Sequence, residues 1–94
     1  MNEDQKKFFQ HIGMLQESAV QIALSDYKEG DDVENLLYDT TFGLIVELMT
    51  MIDGYGSFGD EKMDIVNRKT GVCMKESPFI ELHDRVCEYI KYVK

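Results

Sequence analysis

The sequence predicts a mainly α domain: three helices, with a β-hairpin between the second and third. Three observations lead there. Apolar residues recur at helical spacing in three segments. Gly30 and the glycine-rich run from Gly54 to Gly59 break the chain between elements. Finally, Asn67-Arg68-Lys69-Thr70-Gly71 lies between two short apolar runs, the composition of a hairpin turn.

The first helix is expected over about residues 4–28. Phe8, Ile12, Leu15, Ala19, Ala23 and Tyr27 form its apolar stripe, widened by Phe9, Val20 and Leu24. Asn2 or Asp4 can cap its start, and Gly30 offers a positive-φ residue near its end. The second is expected over 32–53, with Asp31 and Glu34 as a capping box. Val33, Leu37, Leu44, Leu48 and Met51 share one face. From Phe42 to Ile52 the segment is apolar almost all round, as in a central helix. The hairpin is expected to pair Met63, Ile65 and Val66 with Val72, Cys73 and Met74. The third helix should run over 78–93, with Ser77 as N-cap and Pro78 as its first residue. Its buried stripe would be Phe79, Leu82, Val86, Tyr89, Ile90 and Val93, with Glu81 and Arg85 as an i,i+4 pair on the wet face.

Ninety-four residues with 44% hydrophobic content suit one small domain over 1–94. That length excludes barrel and two-half dinucleotide folds. The net charge of −8 argues against a nucleic-acid binder. No apolar run reaches the roughly 20 residues of a membrane span, and no secretory signal is visible. The two cysteines make no disulfide framework. The expectation is therefore a cytoplasmic protein.

Each apparent chemical motif has a simpler explanation. Gly54-Tyr55-Gly56-Ser57-Phe58-Gly59 satisfies G-x-G-x-x-G, but it follows a helix and precedes a hairpin, the wrong context for a phosphate cradle. The same loop, flanked by Asp53, Asp60, Glu61 and Asp64, puts Tyr55 and Ser57 where a Ca²⁺ loop needs oxygen ligands and Phe58 where it needs glycine. His83 and Cys87 are four apart, and with Cys73 they offer three metal ligands, but the spacing is not that of a zinc site. Cys87 is expected in a helix interior, not at a helix N-terminus beside basic groups where a thiolate would be favoured. No catalytic residue, metal or cofactor is therefore expected, and the chain does not read as an enzyme.

Charge placement points elsewhere. Residues 1–47 carry ten acidic and three basic side chains. The expected partner-binding residues are Asp26, Glu29, Asp31, Asp32, Glu34, Asp39 and Glu47. Asp39, Gly43, Glu47 and Thr50 also form one polar-and-small stripe on the second helix. The leading expectation is a protein-protein interaction factor, of inhibitor, immunity or antitoxin type, that docks a partner with a basic surface. One alternative is a small-ligand or metal-binding module using loop 53–61 with Asp39 and Glu47. The other is a homodimer or structural subunit.

Overall fold

A computed structural model describes residues 1–56 and 61–93. Its elements in order are α1 (Glu3–Asp26), α2 (Val33–Ile52) and α3 (Leu82–Val86). The chain divides into two compact units: Met1–Ile45 with Lys91–Lys94, and Val46–Ile90.

In the first unit α1 begins with a reciprocal capping box. Asn2 Oδ1 accepts from Gln5 N–H, and Gln5 Oε1 accepts from Asn2 N–H, each at 2.8 Å. The expected stripe is half-buried at Phe8, Ile12, Leu15, Ala19 and Ala23, joined by His11, while Tyr27 is exposed. Phe9, Val20 and Leu24 remain exposed, and no residue of α1 is fully buried. Gly30 takes φ 91 in the turn beyond. Asp32 rather than Asp31 caps α2, its Oδ1 accepting from Glu34 N–H at 2.9 Å, while Asp31 Oδ2 accepts from Lys28 N–H at 2.8 Å. Val33 and Leu37, expected on the buried face, are exposed; Leu36, Asp39 and Thr40 turn inward instead. Residues 91–93 belong to no helix or strand. Val93 N–H donates to Asp39 Oδ1 (2.7 Å), and the Tyr92 ring lies 4.7 Å from that of Phe42.

Among the described residues of the second unit the buried apolar side chains are Met51, Ile52 and Leu82. The expected β-hairpin does not form: among the described residues there is no strand, only one isolated antiparallel bridge, Val66 to Cys73. Its turn is as expected. Asn67 Oδ1 accepts from Lys69 and Thr70 N–H, and Gly71 takes φ 77. The ladder ends after Met74 N–H donates to Ile65 O (2.9 Å), because Ile65 N–H, which would return the bond, goes to Asp64 Oδ1 (2.7 Å); the same oxygen accepts Lys75 N–H (3.1 Å). Ile65, Val66 and Val72 stay exposed, so no apolar face stabilises a longer pair.

The third helix is also shorter than the expected 78–93. Residues 74–79 form turns, Ser77 takes φ 57, and the Ser77–Pro78 peptide is cis. Ser77 is therefore not an N-cap. After Val86 the chain tightens, with Glu88 N–H donating to Arg85 O and Tyr89 N–H to Val86 O. Of the expected stripe, Leu82 is buried and Val86 and Ile90 half-buried, but Phe79, Tyr89 and Val93 are exposed. Arg85 pairs with Glu88 (3.2 Å) rather than Glu81.

Candidate functional site

Among the described residues, the one group of three potential ligand side chains gathers around Asp53, at the end of α2 in the second unit. Its N–H continues the helical pattern by donating to Met49 O (2.9 Å). Gly54 then turns the chain with φ 89. Only glycine fits there. A Cβ would stand 2.8 Å from Lys62 Cγ and 3.1 Å from Glu61 O.

The Asp53 carboxylate is fully buried (0% exposed), and so is its cation, Lys75 (4%). Lys75 Nζ lies 3.1 Å from Asp53 Oδ1 and 3.8 Å from Glu81 Oε2. The same carboxylate starts α3. Leu82 N–H donates to Oδ1 (3.1 Å) and His83 N–H to Oδ2 (2.8 Å). The N-cap Glu81 supplies no side-chain bond of its own, so Asp53 satisfies the orphan donors of the helix start from 29 residues away. His83 Nδ1 sits 2.6 Å from Oδ2.

Burial raises the Asp53 pKa, since a dry carboxylate resists ionising. The bonds from the His83 backbone and ring, from Leu82 N–H and from Lys75 outweigh it, so the pKa is lowered. Tyr55 closes one side: its hydroxyl donates to Glu81 Oε1 (3.3 Å), and its ring meets the His83 ring edge-on with centroids 5.5 Å apart. On the other side His83 Nε2 lies 3.4 Å from the exposed Asp84 Oδ1.

Asp53, Glu81 and His83 offer three ligand atoms within 4.8 Å of one another, the spacing of a metal site. The Lys75 ammonium occupies the cation position between the two carboxylates, and His83 Nδ1 is engaged by Asp53. The arrangement is an internal ion cluster that orients an imidazole.

Asp26, Glu29, Asp31, Asp32 and Glu34 lie exposed around the α1–α2 turn of the first unit. Asp39, half-buried in the same unit, anchors Val93. Glu47 is exposed and belongs to the second unit, as does the glycine-rich loop. The ligand-binding alternative built on loop 53–61 with Asp39 and Glu47 thus draws on both units. Its residues 57–60 lie outside the described residues. In the polar stripe, Thr50 Oγ1 donates back to Val46 O (2.7 Å) and Gly43 is exposed. Cys73 and Cys87 are free, and among the described residues neither joins a group of three potential metal ligands.

The sequence reading does not single out Lys75, and it meets Asp53 only as a loop flank. One signal points to the latter. A carboxylate at a helix C-terminus faces the negative end of the dipole and needs donors from elsewhere. No described helix is long and apolar enough to cross a membrane. No protein-family model, curated protein or solved structure matches this chain.

Proposed function

We propose that the chain is a protein-interaction factor that docks a basic partner surface on the α1–α2 turn, as an inhibitor, immunity or antitoxin protein would. One observation carries this reading: carboxylates and exposed apolar side chains are interleaved on that turn. Leu24, Val33 and Leu37 are each more than half exposed among Asp26, Glu29, Asp31, Asp32 and Glu34. Exposed apolar surface supplies burial on association, and the surrounding charge supplies orientation and on-rate. Asp31 and Asp32 are already held by backbone N–H groups, which lowers the ordering cost of docking. A second copy brought to the same face would oppose carboxylate to carboxylate, so a basic partner fits it better.

The test is capture from lysate at low and high salt, using the wild type and an Asp31→Lys/Asp32→Lys/Glu34→Lys variant. The expected result is a protein with a basic surface that the wild type retains at low salt and releases at high salt, and that the variant does not retain. Capture insensitive to both salt and charge reversal, or no capture at low salt, overturns the reading.

A further inference from the structure

We propose that the outward face of α1 is a self-association surface, on which a second copy of the chain packs antiparallel. The inference is independent of the docking reading and uses only the first unit. No described residue of that unit is fully buried, although α1 alone runs for 24 residues. Helices in water draw most of their stability from burying an apolar face. One such face, Phe8, Ile12, Leu15, Ala19 and Ala23, is half-buried. A second lies beside it and is bare. Phe9, Gly13, Gln16, Val20 and Leu24 follow at spacings of 4, 3, 4 and 4, and all five are exposed, Phe9 at 55% and Leu24 at 66%.

Charge points to what covers this face. The chain carries −8 overall, yet from Phe9 to Leu24 the only acidic residue is Glu17, and there is no Lys or Arg. Glu17 Oε1 accepts from Gln21 Nε2 at 3.1 Å, which turns the carboxylate along the helix. A basic partner finds almost nothing to pair with on this stripe. A second copy brings the same uncharged stripe and meets little repulsion.

The stripe also complements its own reverse. Antiparallel pairing about a two-fold axis between Gln16 and Glu17 sets Phe9 of one copy against Leu24 of the other, Gly13 against Val20, and Gln16 beside Gln16. Gly13 is the hollow in this surface. A Cβ there would meet nothing within 4 Å, so the branched Val20 side chain of the second copy has room to enter. Phe9 to Leu24 spans about 22 Å of helix. Contact over that length is at the small end for protein interfaces, so the dimer dissociates on dilution. Leu24 borders the acidic turn, whose carboxylates, Val33 and Leu37 stay outside the pairing.

The experiment is sedimentation equilibrium of the full chain from about 5 to 500 μM, at low and high salt. The mass should rise from one chain to two across that range, and added salt should not reverse the rise. Salt thus separates this contact from docking of a basic partner, which salt releases. Gly13→Glu and Val20→Glu should each weaken association by about tenfold or more, because each sets a carboxylate into the paired face. Both positions are exposed, and a side chain at Gly13 meets nothing in its own chain, so the variants keep the helix, checked by circular dichroism. Cross-linking in a Cys73→Ser/Cys87→Ser background reads the register. Under mild oxidation Gln16→Cys, beside the two-fold axis, should give a disulfide-linked dimer, and Met14→Cys, exposed on the far side of α1, should not. A mass of one chain throughout, association unchanged in both glutamate variants, or equal cross-linking at the two cysteines overturns the proposal.

Discussion

Asp53 Oδ2 holds His83 twice, accepting its backbone N–H at 2.8 Å and meeting its ring Nδ1 at 2.6 Å. One carboxylate oxygen thus both starts a helix and orients its imidazole. The other oxygen takes Leu82 N–H and the Lys75 ammonium. Among the described residues, the ion cluster lies beside the buried apolar residues Met51, Ile52 and Leu82 of this unit.

Removing the two ions of the pair should have unequal effects. Asp53→Asn leaves the Lys75 ammonium buried beside a neutral amide and should cost about 3–5 kcal/mol. Lys75→Met leaves Asp53 with two backbone donors and the His83 ring, and should cost less, about 1–3 kcal/mol. Urea titrations of both variants measure the difference. Equal losses would show that the backbone and His83 bonds do little for the carboxylate.

The same carboxylate sets an acid limit. Its folded pKa lies below the ordinary aspartate value of 3.8, so the unfolded chain binds a proton more readily. The stability from Asp53 is fully present above the unfolded value and is lost as pH falls through the folded one. Urea midpoints followed downward from about pH 5 should therefore drop for the wild type. The Asp53→Asn variant, lacking this group, should show a shallower fall over the same interval.

The two long helices were legible because their signal is local. Apolar spacing and caps place α1 and α2 to within two residues of their observed ends. The hairpin and the third helix were not, because distant carboxylates decide them. Asp64 takes the Ile65 N–H that would extend the ladder, and Asp53 takes the first N–H groups of α3. Periodicity carries no record of a bond spanning 29 or 30 residues. The acidic turn was readable as charge, yet Asp39 within that set proved to anchor Val93.

Glycine substitutions should separate a required turn from a tolerated helix position. Gly54→Ala must hold φ 89 and place its Cβ 3.1 Å from the Glu61 carbonyl and Lys62 Cα, so it should destabilise by about 1–3 kcal/mol. Gly43→Ala meets nothing within 4 Å inside α2 and should stabilise by up to about 1 kcal/mol. Thermal unfolding of the two variants gives opposite signs if the turn at Gly54 is as described.

Asp39 offers the last test, at the chain's far end. Its Oδ1 accepts Val93 N–H at 2.7 Å, and the neighbouring Tyr92 and Lys91 rest on α2 rings, with Lys91 Nζ 4.4 Å from the Tyr38 centroid. Asp39→Ala removes the acceptor and should raise amide exchange at Val93 by about tenfold, the equivalent of roughly 1–1.5 kcal/mol for one bond. Asp39→Asn keeps an oxygen in place and should restore most of the protection. If Val93 exchanges equally fast in the wild type and in Asp39→Ala, the bond from Val93 N–H to Asp39 does not protect this amide.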